Sequence, residues 1–394
     1  MSLHHNSHHI HHFLRSKEMN EMYLSYGIFN FALGLISVFI PIYLYKLNYS
    51  ISAILFFFFL NSLAFVAFSY LGVKIVSRLG VKHTMLLSGF FLILFLLGMQ
   101  FLQTWPWLFF ALPILRAFKM ILYNYSFHLN FIRHSDCKDR GKEVSMIQAS
   151  AVLAGILSPF MGGVILHFSS FTILFTVGSF CVFLAMVPLF MTDETYEPIS
   201  FEKGRLFSGI FKKKNLPLVA SFSGYAIESW IGMVIWPIFL YLIFANSESV
   251  GNITSLTAFL TLIIFYFVGR LTDKKDKRLM LTIGTILYFF GWLGRIFVSG
   301  LGSVLVIDSY KNVTQQILFV PWSAYSYDLA AQRNYFKFIV RREVVFNLSR
   351  VIVLPLLALI FYFNFHAFTL TFILAALFSL FYVTLNDKGL IRKA

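Results

Sequence analysis

Long apolar runs alternate with short polar breaks along the whole chain. A run of about 20 mostly apolar residues is long enough to cross a bilayer as a helix. Twelve such runs stand out. Six lie at 22–46, 51–72, 84–103, 107–131, 144–167 and 170–191. After a polar stretch at 192–215, six more lie at 217–243, 251–271, 279–299, 303–329, 344–363 and 366–386. The runs are continuous rather than short and alternating, which predicts helices and not barrel strands.

Composition points the same way. Of 394 residues, 58% are hydrophobic and 12% are charged. Soluble domains carry about 45–50% apolar and about 25% charged residues, so lipid is the expected solvent for most of this chain. The first apolar run is too long for the core of a cleavable signal and lacks a small-residue cleavage site, so none is expected. The two cysteines, Cys137 and Cys181, offer neither a disulfide framework nor metal-ligand spacing.

The net charge of +15 first raises nucleic acid as a partner. The placement of the charges removes that reading. With the N-terminus inside, 26 of the 32 Lys and Arg fall in segments facing the cytoplasm, and one, Lys46, faces out. The other five, Arg116, Lys119, Arg295, Lys311 and Arg350, lie within runs. This bias predicts a multi-pass protein of the plasma (inner) membrane with both termini cytoplasmic. No nucleic-acid partner is expected, because no basic segment joins an aromatic or helical reading unit.

The chain also repeats. FIPIYLY at 39–45 matches IWPIFLY at 235–241, and Pro159 matches Pro355, both at an offset of 196 residues. Two parallel copies of a six-helix unit follow, related about an axis along the membrane normal, with a site between them near midplane. The expected organisation is a His-rich tail (1–21), a first bundle (22–191), a cytoplasmic linker (192–215), a second bundle (216–387) and a short tail (388–394).

Residues 269–281 read GRLTDKKDKRLML, with six consecutive charges from Asp273 to Arg278. This stretch resembles the loop motif of the major facilitator superfamily, roughly G-x-L-x-D-R-x-G-R-R-x-x-L, with Asp276 where a Gly is usual. A poorer copy spans Val73 to Met85. It keeps Arg78, Gly80 and Lys82 but has Ser77 in the acidic position. Leu112-x-x-x-Arg116-x-x-Lys119 is similar to the family's helix-4 pattern, with Met120 in place of a Gly. Gly155-x-x-x-Pro159-x-x-Gly162-Gly163 loosely resembles the helix-5 pattern of some antiporters. The resemblance implies two pseudo-symmetric bundles of six transmembrane helices and transport by alternating access, with efflux of amphipathic compounds as one form. It also implies a conformational latch at Gly269, Asp273, Lys274, Lys277 and Arg278, with Arg78 and Gly80 as the weaker first-half counterpart. Independently of the family, basic residues in such a loop gain about 1 kcal/mol each beside anionic lipid.

An ionisable residue inside a span is by default a functional hypothesis. Glu228, in GYAIESWIGMVIWP, lies near the middle of the seventh run. It is expected either to carry protons beside a substrate cavity or to be tied to a buried basic neighbour. Arg116 and Lys119 share a face of the fourth run, and Asp308 and Lys311 repeat that spacing on the tenth. With Glu228 these four are the expected proton-coupling and substrate-cavity residues, the alternative for Asp308 being a pair with Lys311 on its own helix. Arg116 is expected to reach Glu228, Asp308 or an anionic substrate. Arg295 is expected to snorkel outward, and Arg350 to act as a gate. Tyr123, Asn124 and His128 on the fourth run, with Trp322, Tyr325 and Asp328 on the tenth, are expected at a gate or cavity wall. The Arg140/Glu143 and Arg342/Glu343 pairs are candidates for an ionic gate.

His4, His8 and His12 fall at i, i+4, i+8, a spacing that would let one helix face bind a transition metal. No carboxylate or histidine cluster follows within the spans, so a surface tail is the main expectation. No cofactor is expected, and no G-x-x-x-x-G-K-[ST] loop is present for ATP hydrolysis. The leading expectation is a monomeric secondary transporter of a small solute coupled to protons. Its rivals are a non-transporting lipid-handling or receptor-like protein of the same fold and a metal-ion transporter using the tail. An integral membrane enzyme ranks last, since no nucleophile–base pair or metal cluster lies within a span.

Overall fold

The computed structural model describes residues 17–134, 140–191, 193–194, 196, 207–208, 210–272, 277–363 and 366–386, without the side chains of 17–19, 132–149, 265–277 and 386. The described residues contain helices and no strands. The first half holds α1 (Lys17–Ser37, carried on by Phe39–Lys46), α2 (Ile51–Leu79), α3 (Val81–Gln100), α4 (Leu108–His134), α5 (Arg140–Phe168) and α6 (Phe171–Met186). The second half holds α7 (Leu216–Trp230, continuing to Trp236–Phe244), α8 (Ser247–Thr272), α9 (Lys277–Gly294), α10 (Leu301–Ala331), α11 (Tyr335–Phe363) and α12 (Ala367–Ser379). Eleven of the twelve are apolar enough over 18 residues to cross a membrane unaided. The twelfth, α10, has the length at 31 residues but carries Asp308, Lys311 and Asp328. Such a helix crosses only if its bundle mates satisfy those groups.

The repeat is visible in the helix starts. Ile51 and Ser247, Val81 and Lys277, and Phe171 and Ala367 open equivalent helices 196 residues apart. The paired proline motifs have a structural meaning. Proline lacks an N–H and crowds the carbonyl four residues back, so it breaks the turn before it. α1 breaks at Val38 ahead of Pro41, and α7 passes through a π-helical turn, Ile231–Ile235, ahead of Pro237. The run at 344–363 begins earlier than its apolar residues do. α11 starts at Tyr335, because the basic first turns are still helical although hydropathy does not reveal them.

α2 packs on α11 and α5 packs on α8, and these two pairs join the halves. The α5–α8 crossing is close enough to require glycine. A Cβ at Gly163 would lie 3.1 Å from the carbonyl oxygen of Glu248, and one at Gly251 would lie 3.0 Å from the Cα of Gly163. Since twelve spans bring the chain back to the side it began on, one end of the bundle holds both termini, and the other is termed here the far end. The halves touch at both. At the far end, the Tyr45 and Tyr241 rings of the repeated motif meet at 6.1 Å, and Ser52 Oγ donates to the carbonyl of Ala358 at 2.8 Å.

Candidate functional site

Two groups of buried charge occupy the interior, and they differ in sign balance. The first lies within the second half. Glu228 on α7 has no exposed surface. Its Oε2 accepts from the Tyr288 hydroxyl at 2.7 Å and the Trp292 indole N–H at 3.2 Å, and its Oε1 accepts from the Tyr382 hydroxyl at 2.6 Å. The Lys311 ammonium stands 5.2 Å from the centroids of both Tyr288 and Trp292, and donates to Gln315 Oε1 at 3.0 Å. Asp308 is ion-paired with Arg295, in the 3-10 turn Arg295–Phe297 that follows α9, not with Lys311 of its own helix. Arg295 therefore does not snorkel. It is 2% exposed and also lies 3.8 Å from the ring of Trp236 and 4.5 Å from that of Trp292. Aromatic faces and a carboxylate on facing helices outcompete distant solvent for a guanidinium. With two acids and two bases, this group is neutral.

The second group lies where the halves meet and is purely cationic. Arg116 of α4 donates to Asn61 Oδ1 at 2.9 Å and stands 5.1 Å from the Phe58 ring and 5.0 Å from the Trp230 ring. Neither Glu228 nor Asp308 reaches it, since both are engaged inside the second half. Lys119, one turn on, is buried over the rings of Phe29 (4.9 Å) and Tyr123 (5.2 Å). Arg350 of α11 is also buried. It stands 4.8 Å from the same Trp230 ring, and its Nε donates to the carbonyl of Ala226 at 3.3 Å. Arg350 thus lies in the interior beside α7 rather than at an end of the bundle. α7 serves both groups. Glu228 and Trp230 are two residues apart, which on a helix turns them to nearly opposite faces. The π-helical turn begins immediately after Trp230, and such turns are frequent at functional positions.

At the termini end, the fourth helix meets α11 rather than α10. Asn124 Nδ2 donates to Glu343 Oε2 at 3.0 Å, and His128 Nε2 lies 2.9 Å from Arg342 Nη2. Arg342 and Glu343 are themselves paired at 3.0 Å. The expected α10 partners are placed elsewhere. Trp322 is buried in the second half, where its indole donates to Ser221 Oγ at 2.8 Å. Tyr325 packs against the core, and Asp328 is exposed. α10 packs on α8 and α9 and turns Trp322 toward α7, while Tyr327 lies 6.4 Å from the His128 ring. Tyr123 stacks on Phe29 at 4.2 Å.

Asp273, Lys274, His4, His8 and His12 lie outside the described residues, and of Gly269, Lys277, Arg140 and Glu143 only the backbone is described. Arg278 is half-buried in the first turn of α9, and Arg78 is exposed. The first-half loop has an acid after all, supplied from a distance. Glu194, beyond α6, accepts from the backbone N–H groups of Lys82 (3.0 Å) and His83 (2.6 Å), the open donors at the start of α3. Gly80 holds φ at +83°, and a side chain there would meet Glu194. Glu21 of α1 pairs with Lys82 at 3.1 Å. Sequence reasoning passed over Glu194, Asn61, Trp230, Tyr288, Trp292 and Tyr382. The recurring aromatic residues near charged positions were the available signal.

The sequence matches the family model described as Major Facilitator Superfamily over residues 22–307. A Bacillus subtilis (strain 168) protein described as "Uncharacterized protein YqgE" is 20% identical over 212 residues, which is 50% of this chain and 49% of that protein. The chain thus spans about half the length of that relative. Among solved structures, a D-xylose–proton symporter superposes with a TM-score of 0.71 at 13% identity, covering 92% of this chain and 96% of its own. A POT family transporter in complex with 5-aminolevulinic acid gives 0.69 at 11%, covering 93% and 94%. At such identities the likeness shows the fold.

Proposed function

The chain belongs to the major facilitator superfamily, and from that premise we propose that it is a proton-coupled secondary transporter in which Glu228 carries the proton. One observation carries this reading: a carboxylate with no exposed surface, in mid-span, whose hydrogen-bond partners suit both of its protonation states. Ionised, it accepts from Tyr288, Trp292 and Tyr382. Protonated on Oε1, it donates to the Tyr382 oxygen once that hydroxyl rotates, because a phenol both donates and accepts. Trp292 and Tyr288 continue to serve Oε2. The ammonium of Lys311 on the same rings offers a counter-charge that only the ionised form needs.

Alternating access would proceed by rocking the halves on the α2–α11 and α5–α8 contacts. Asn124–Glu343 and His128–Arg342 would open and close the termini end. The Lys and Arg distribution supports a cytoplasmic termini end and a plasma-membrane location. A monomer suffices, since each chain carries both halves. The solved symporter of the same fold moves protons with its sugar, which is consistent with coupling here.

The test is solute-driven proton flux in proteoliposomes containing a pH dye, with sugars, amino acids, organic anions, amphipathic cations and divalent metals offered in turn. One class is expected to drive flux. If none does while labelled solutes also fail to enter, the non-transporting reading replaces this one.

A further inference from the structure

We infer that Arg116 and Arg350, with Lys119, form an oxyanion-binding site between the two halves, so that the transported solute is a small organic anion bearing a carboxylate or phosphate. The inference rests on the transporter reading above and names its substrate class.

The argument starts from charge balance. Buried charges are found paired, because leaving one uncompensated is costly. In this bundle Arg295 has Asp308, Arg342 has Glu343, and Glu228 shares its aromatic cradle with Lys311. Arg116, Lys119 and Arg350 have no carboxylate partner among the described residues. Glu343, two turns from Arg350 on α11, is already engaged by Arg342 and Asn124. Three basic side chains therefore sit in the interior without a carboxylate paired to them among the described residues. A guanidinium has five N–H donors. Arg116 uses one, on Asn61, and Arg350 reaches Ala226 at 3.3 Å and Asn347 at 3.5 Å.

The second line is geometry. Arg116 comes from the first half and Arg350 from the second, and both stand over the indole of Trp230. Their guanidinium carbons are therefore no further apart than the sum of those two short distances, within the span of one small ligand. The Tyr123 hydroxyl, on the ring that faces Lys119, is buried and makes no hydrogen bond. It is a spare donor beside a spare ammonium. Phe58 and Phe346 complete an apolar surround, 5.1 Å from Arg116 and 5.9 Å from Arg350. Guanidinium forks bind carboxylate and phosphate through paired hydrogen bonds, and the aromatic walls suit a hydrocarbon body. An anion bridging Arg116 and Arg350 would draw α4 toward α11. Because Trp230 is two residues from Glu228, it would also press on the helix that holds the proposed proton carrier.

The test is ligand binding by the full-length protein in nanodiscs at constant ionic strength, read as thermal stabilisation. Benzoate, citrate, glucose 6-phosphate and inorganic phosphate are compared with benzamide, glucose and a quaternary ammonium. Saturable stabilisation by at least one anion, with none from its neutral analogue, is expected. The carboxylate and phosphate arms identify the headgroup. Arg116→Gln and Arg350→Gln should each weaken that binding at least about tenfold. Arg350→Lys, which keeps the charge and the fold, should recover part of it. Equal stabilisation by neutral analogues, undiminished binding in both Gln variants, or no saturable anion binding at all would overturn the site. A neutral solute that drives proton flux without anion binding would sink this inference and leave the transporter reading intact. Anion binding with neither proton flux nor entry of labelled anion would keep the site, make it a binding site without transport, and sink the transporter reading.

Discussion

Replacing Asp308 by Asn isolates the buried Arg295–Asp308 pair. The substitution keeps the shape and one acceptor but leaves the Arg295 guanidinium, 2% exposed, without a counter-charge. Breaking a buried pair from one side costs about 3–5 kcal/mol. Asn retains a hydrogen bond, and two indoles still face the guanidinium, so the lower end, about 3 kcal/mol, is expected. Arg295→Gln strands the carboxylate and also loses contacts with Trp236 and Trp292, each worth about 1–2 kcal/mol at a buried site. Its expected cost is about 5–7 kcal/mol. The double variant has no buried charge to strand, so it should cost no more than Arg295→Gln alone, an interaction energy of about 3 kcal/mol. Equilibrium unfolding in bicelles, with all four proteins in parallel, measures each term. Additive single costs would refute the pairing.

Four further outcomes follow from named contacts. Tyr382→Phe removes the donor to Glu228 Oε1 and should destabilise the protein by about 1–2 kcal/mol, while slowing proton flux more than solute exchange in proteoliposomes. Glu343→Gln weakens two contacts at the termini end. Spin labels on the ends of α4 and α11 should show a separated population that rises several-fold. Gly251→Val forces α5 and α8 apart at a glycine crossing. It should raise the labelling rate of a cysteine placed at Tyr241 with a membrane-impermeant thiol reagent by roughly tenfold. Gly80→Ala meets both a positive φ and the side chain of Glu194, and should cost about 1–3 kcal/mol in the same unfolding assay.

Much of the fold was legible because lipid leaves few alternatives. Depth and length follow from hydropathy, and the repeated FIPIYLY and IWPIFLY motifs marked two copies of one six-helix unit. The depth of Glu228 was equally plain. What the sequence did not disclose was rotation and partnership. Spacing alone joined Asp308 to Lys311, because an i, i+3 pair shares a face, yet the fork-shaped guanidinium of Arg295, just past α9, took the carboxylate. Polar residues on α4 and α10 looked like partners because they sit at equivalent places in the repeat. The interface instead pairs α4 with α11, since the two-fold relation crosses the halves. The cradle of Tyr288, Trp292 and Tyr382 was hidden among 49 Phe, 19 Tyr and 6 Trp, where composition cannot distinguish a lipid-facing ring from a donor.

The most direct test of the central claim compares wild type with Glu228→Gln for two quantities in the same proteoliposomes: proton flux driven by the solute, and exchange of labelled solute at equilibrium. If Glu228 carries the proton, the Gln variant, held neutral with its amide oxygen accepting from Tyr288 and Trp292 and its N–H donating to the Tyr382 oxygen, loses the flux and keeps the exchange. Proton flux in the variant equal to wild type would contradict the account.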